Sequence, residues 1–164
     1  MIRYIALLRG INISGKNKIP MAELKKGFED LCFCDVRTYL NSGNVMFSGS
    51  EDDITGITEK IEEMIRETFS LDIPVFVIKT EKLKDIIRHA PEWWGTDDKS
   101  IYDNLIFIMP PTTFAEVHEA IGEPKEGLER SWNMTMRYSG PLILRITGRP
   151  TGGLKLLLCR LDQG

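Results

Sequence analysis

Apolar and polar residues alternate along the chain in blocks whose spacing changes from one block to the next. Arg3 to Leu8 is almost continuously apolar, which predicts a strand buried on both faces. A polar stretch punctuated by Gly10 and Gly15 follows. From Met21, apolar positions recur at Leu24, Phe28 and Leu31 with Lys25, Lys26 and Glu29 between them, which predicts a helix with Pro20 as its first residue. Val36 to Leu40 and Val45 to Phe47 are β-rich around the turn-forming Asn41-Ser42-Gly43-Asn44, a hairpin pattern. Asp53 can cap a second helix whose stripe is Ile54, Ile57, Ile61, Met64 and Ile65 and which ends near Phe69. Pro74 to Ile78 then reads as a strand.

The resulting order, β-α-β-β-α-β, is that of a ferredoxin-like split βαβ unit over residues 1–80. Residues 81–164 predict a second, smaller α/β subdomain packed on the first, giving an α+β protein. It begins with a helix from Glu81 to His89, with Leu83, Ile86 and Ile87 inward. A strand from Leu105 to Met109 follows, and Thr112 or Thr113 caps a helix through Ile121. Two further strands are expected around Trp132 to Tyr138 and Leu142 to Ile146. Leu154 to Leu161 suits either a helix or a strand, and no internal sequence repeat is evident.

This topology converges the polar residues. A crossover helix makes the first two strands parallel. The loop leaving the first strand and the turn leaving the second therefore share one rim of the sheet. The chain before Pro74 comes to the same edge. Between Arg9 and Lys26 lie five basic residues, Arg9, Lys16, Lys18, Lys25 and Lys26, against the single acid Glu23. Glycines let backbone N–H groups approach a ligand, and Arg, Lys, Asn and Ser supply donors. The candidate ligand-binding residues are Arg9, Gly10, Asn12, Gly15, Lys16, Asn17, Lys18, Ser42, Gly43 and Asn44. A small anionic molecule, a phosphate-bearing metabolite or nucleotide, is the first ligand class, and a nucleic-acid backbone the second. The same residue types also serve tight turns, so a purely structural rim is an alternative. A third is an enzyme that stabilises an anionic transition state with Arg9 or Lys16.

Gly10-Ile11-Asn12-Ile13-Ser14-Gly15-Lys16 matches the spacing G-x-x-x-x-G-K of a phosphate-binding loop. Asn17 stands where a magnesium-binding Ser or Thr is required, and Asn17-Lys18-Ile19-Pro20 postpones the helix. The pattern therefore argues against a nucleoside triphosphatase.

Tyr4-Ile5-Ala6-Leu7-Leu8-Arg9-Gly10-Ile11-Asn12, continuing through Gly15-Lys16-Asn17-Lys18-Ile19-Pro20-Met21-Ala22-Glu23-Leu24, resembles the signature of a bacterial family called domain of unknown function 1697. Tyr39-Leu40, Ser42-Gly43-Asn44-Val45 and Phe47 match its second motif. The resemblance covers residues 1 to about 80, implies an α/β fold with ferredoxin-like subdomains, and carries over no activity. The family's late motif, T-x-R-N-x-N-T ahead of a Lys-Leu-Leu helix, is matched by Thr147 and Arg149 but is one residue short before Lys155-Leu156-Leu157. Arg149 is the late candidate that the resemblance adds.

The remaining features narrow the reading. A net charge of −3 over 164 residues gives no global field for nucleic acid or an anionic membrane, so any basic site is local. No apolar run approaches the roughly 20 residues that span a bilayer, no secretory leader is evident, and no membrane partner is expected. The odd set Cys32, Cys34 and Cys159 indicates a reducing, cytoplasmic compartment. Cys32 and Cys34 lack further ligands at metal spacing, so all three cysteines are expected in the core, with no metal and no cofactor. His89 and His118 have no nucleophile partner, and of Trp93 and Trp94 one is expected in the core.

Overall fold

The computed structural model describes residues 1–13, 15–41, 43–92, 94–95, 101–109, 111–121, 129–133, 141–147 and 155–159. The chain divides into two units, Met1–Ile87 and Arg88–Gly164.

In the first unit, β1 (Ile2–Leu8), α1 (Met21–Asp30), β2 (Cys34–Tyr39), β3 (Asn44–Gly49), α2 (Ile54–Phe69) and β4 (Val75–Lys79) follow in that order. The sheet order is β2-β3-β1-β4, the split βαβ arrangement. β1 and β2 are each antiparallel to β3, and hence parallel to one another. The core lies between one sheet face and the two helices. Tyr4, Ala6, Leu8, Val45, Phe47, Val75 and Val77 meet Leu24 and Phe28 of α1 and Ile57, Ile61 and Ile65 of α2. Phe47 is the hub of its aromatic cluster, with ring centroids 5.4 Å from Tyr4, 5.3 Å from Phe28 and 4.5 Å from Phe33. A Cβ at Gly27 would overlap Met64 Sδ, so the glycine sets how closely α1 approaches that side chain.

Local details depart from the sequence pattern. Pro20 is the N-cap of α1 rather than its first helical residue, and its carbonyl accepts the Leu24 N–H at 3.0 Å. Ile54 opens α2 and is exposed although it lies in line with the buried Ile61. α3 (Thr80–Arg88) follows β4 without a loop and buries Leu83 and Ile86, whereas Ile87 is exposed. Cys32 and Cys34 are exposed free thiols, not core residues. Cys32 sits just past α1 at φ 62, and Asp35 at φ 51 belongs to a register break between Cys34 and Arg37. That β-bulge interrupts the inward–outward alternation of β2.

The second unit holds β5 (Ile101–Ile108), α4 (Phe114–Ile121), β6 (Glu129–Asn133), β7 (Pro141–Thr147) and β8 (Lys155–Cys159), in sheet order β6-β7-β5-β8. Leu105, Ile106, Phe107 and Ile108 are all buried, as a central strand covered on both faces requires. α4 begins with a reciprocal cap. Glu116 N–H donates to Thr113 Oγ1 at 3.4 Å, and Thr113 N–H donates to Glu116 Oε2 at 2.7 Å. The segment that suited either helix or strand is the strand β8, parallel to β5. β6 begins earlier than the pattern around Trp132 had suggested.

Taken in chain order, the two sheets have the same strand arrangement, although their sequences show no repeat. They differ in the last strand. β3 and β4 are parallel, so the chain must return the length of the sheet between them, which α2 accomplishes. β7 and β8 run in opposite directions, since only β8 is parallel to β5. The end of β7 and the start of β8 therefore lie at the same end of the sheet with β5 between them, about 10 Å apart at two inter-strand spacings.

Among the described residues no helix is long and apolar enough to cross a membrane.

Candidate functional site

The rim is built at the end of β1. Leu8 N–H donates to Gly43 O at 3.0 Å, and Arg9 N–H donates to Pro74 O at 3.0 Å. The turn after β2 and the approach to β4 therefore flank the first loop, as the split topology requires.

The described residues 10–13 and 15–19 form a closed loop. Ile11 and Ile19 are 1% and 2% exposed and anchor its two ends in the core. Asn12 joins them. Its Oδ1 accepts the Ile19 N–H at 2.9 Å, and its Nδ2 donates to Ile19 O at 3.0 Å. A carboxamide carries one acceptor and one donor group, so the orientation follows from the backbone it faces. The same Nδ2 donates to Asn41 O at 3.0 Å, tying the loop to the second turn. Asn12 N–H donates to Asn17 O at 3.1 Å, and Asn17 Nδ2 donates to Gly10 O at 3.1 Å. At the tip, Lys16 N–H donates to Ile13 O at 2.9 Å, with Gly15 at φ 77 in the turn's third position, where positive φ occurs in type II and type I′ turns.

Gly43 is required twice over. Its φ is 82, and a Cβ there would lie 2.8 Å from Ile11 Cδ1 and 2.9 Å from Leu8 Cβ. The turn thus seats directly on the base of the first loop.

The sequence-predicted residues fall into distinct roles. Asn12 and Asn17 direct their side-chain amides into the loop's own backbone. Lys16 and Lys18 are exposed, and no salt bridge engages either among the described residues. Arg9 is half-buried at the loop's start, and Asn44 is half-buried with Nδ2 3.4 Å from Tyr39 O. Gly10, Gly15 and Gly43 all take positive φ. Ser42 and Arg149 lie outside the described residues, as do Trp93 and the side chains of His118 and Cys159. Trp94 is half-buried, its N–H donating to Pro91 O at 2.8 Å.

The rim also has an apolar part. Ile13, Tyr39 and Leu40 are 61%, 59% and 66% exposed. Ile13 and Leu40 carry no chemistry that singles them out in the sequence, and only the mismatch between a polar loop and an isolated Ile13 could have flagged them. Tyr4 and Phe47, by contrast, are fully buried.

Fold and rim together define an α+β protein with a split βαβ unit that carries two tied loops at one sheet edge. The chain belongs to the family described as protein of unknown function (DUF1697), whose model matches residues 1–136. Among solved structures it is similar to the conserved bacterial protein SP0830 from Streptococcus pneumoniae. The two are 26% identical with a TM-score of 0.71, over 90% of this chain and 78% of that one. Comparison with curated proteins gives no match.

Proposed function

We propose that this is a binding protein of the cytoplasm whose rim takes an anionic, phosphate-bearing ligand. Lys16 and Lys18 supply the charge, while Asn12, Asn17 and the three glycines hold the loops in place. One observation carries the reading. Of the ten described residues at positive φ, six lie in the two rim segments: Gly10, Asn12, Gly15, Asn17, Leu40 and Gly43. Non-glycine residues in this conformation cost of order 1 kcal/mol or more each and tend to gather at binding sites, where a fixed backbone is worth that cost. Lys16 and Lys18 then project from a framework that needs little reorganisation on binding. The described rim residues 9–18 and 39–44 include no carboxylate, imidazole or thiol, which favours binding over proton-transfer chemistry.

The test is amide chemical-shift mapping with inorganic phosphate and ribose 5-phosphate. Saturable shifts at Gly10, Gly15, Lys16 and Gly43 are expected, and their loss in a Lys16→Ala/Lys18→Ala variant. Equal responses in wild type and variant would overturn the proposal.

A further inference from the structure

The exposed apolar side chains at the rim say more about the ligand than the lysines do. Ile13 follows Asn12 in sequence and Leu40 precedes Asn41, so both flank the Asn12–Asn41 hydrogen bond that joins the loops. Tyr39 ends the edge strand β2, directly opposite Asn44 in the ladder and two residues from the exposed Arg37. Leu40 is also fixed at φ 57 while remaining 66% exposed, an arrangement that no burial repays. Large apolar residues exposed singly are ordinary. Three of them lie on two loops tied by that hydrogen bond, and the first loop also carries the exposed Lys16 and Lys18, so the rim is both cationic and apolar.

This surface is open. Sites for small molecules are concave and bury most of the ligand, roughly 70–90% of its surface. Ile13, Tyr39 and Leu40 are each more than half exposed, so they make a ledge and not a wall. An open ledge suits an extended polymer that makes several shallow contacts. Charge complementarity requires that polymer to be a polyanion, and the exposed phenol ring favours one with flat aromatic groups. Single-stranded nucleic acid has both. A duplex hides its base faces, and an acidic peptide has no flat rings to place on Tyr39.

We infer that the rim binds single-stranded nucleic acid, with Lys16 and Lys18 facing phosphates and Tyr39 stacking on a base between Ile13 and Leu40. The inference rests on the anionic-ligand reading above and reverses the order in which the sequence alone ranked the two ligand classes.

Fluorescence anisotropy tests it with oligothymidylate and oligouridylate of about 12 nucleotides, within the site size of one small module. An abasic oligomer of equal length and polyglutamate serve as base-free polyanions. The expected result is roughly tenfold weaker binding of the abasic oligomer, and a similar loss for oligothymidylate in Tyr39→Ala, because one stacking contact contributes about that factor. Tyr39→Ala should leave abasic binding unchanged. Lys16→Ala and Lys18→Ala should each weaken both oligomers and lower the log–log salt slope by about 0.7. The ratio of thymidylate to uridylate affinity assigns DNA or RNA. All three substituted side chains are exposed, and circular dichroism verifies folding. If the abasic oligomer or polyglutamate binds as tightly as oligothymidylate and Tyr39→Ala has no effect, the nucleic-acid inference falls while the anion reading stands. If the lysine variants match wild type with every probe, both fall.

Discussion

Asn12 Nδ2 lies 3.0 Å from the main-chain oxygen of Asn41, and through this contact the loop after β1 holds the turn after β2. The same carboxamide pairs with both backbone groups of Ile19, so one side chain substitutes for a short strand. Asn12→Ala is expected to destabilise the protein by about 2–4 kcal/mol, since it leaves the Ile19 N–H and two carbonyls without their partner. Asn12→Asp should be worse near neutral pH, because a carboxylate would face the Ile19 and Asn41 carbonyl oxygens. Its folded pKa would be raised, so the variant should regain stability as pH falls. Urea denaturation at neutral and mildly acidic pH checks both statements. An aspartate variant as stable as wild type at neutral pH would contradict this account.

Gly43→Ala combines an unfavourable backbone conformation with overlap against Ile11 and Leu8. Each effect costs about 1–2 kcal/mol, so a loss of about 2–4 kcal/mol is expected. Gly15→Ala retains the conformational cost, but its Cβ would meet nothing within 4 Å. Thermal unfolding of the two variants should therefore rank Gly43→Ala clearly below Gly15→Ala.

Burial is the main cause that pushes the Tyr4 phenol above its ordinary value of 10.0, with the Asp52 carboxylate adding to it. Its hydroxyl donates to Glu51 O at 2.5 Å. A raised folded pKa means that the associated stability is complete below the unfolded value and is lost as pH rises through the folded one. Tyr4→Phe should cost about 1 kcal/mol at neutral pH through the lost hydrogen bond. Its deficit relative to wild type should then shrink in alkaline solution, as followed by denaturation across that range.

The Glu116 carboxyl is held below the usual range, first by the Thr113 N–H and then by the Thr113 hydroxyl. Here the sign is opposite: the stabilisation is present above the unfolded pKa and is lost as pH falls through the folded value. Protection of α4 amides, relative to their intrinsic exchange rates, should fall on acidification in wild type more than in Glu116→Gln, which keeps an acceptor without the titration. Thr113→Ala should fray the helix start at all pH values.

Cys32 and Cys34 are exposed, so iodoacetamide should alkylate both in the native protein without denaturant. Peptide mass mapping reads each site. Protection of either until unfolding would place it in the core after all.

The sequence made the first unit legible because its signals are local and strong. A short continuous apolar run bounded by polar residues, such as Arg3–Leu8, and a period-3.6 stripe, such as Ile57, Ile61 and Ile65, each point to one kind of element. The order of those elements, with the handedness of crossovers, then forces loop 10–19 and turn 41–44 to one edge. The second unit was less legible. A short apolar segment such as Lys155–Cys159 suits a helix or a strand equally, and its pairing with β5 decides between them.

By itself, then, the sequence determined the α+β class, the element order of residues 1–80 and the rim as a meeting place of loops. Periodicity and connectivity are properties of the chain, and a strand or crossover carries them wherever it folds. Only the tertiary structure decided what individual side chains do there. Asn12 and Asn17 have the same donors whether they face a ligand or the backbone, and the carbonyls of Ile19, Asn41 and Gly10 occupy them. Ile13, Tyr39 and Leu40 have the composition of a core, yet they stand in solvent because the buried positions beside them belong to Ile11 and Val36. Burial and hydrogen bonding depend on which distant residues arrive at the same place, and that is settled by packing.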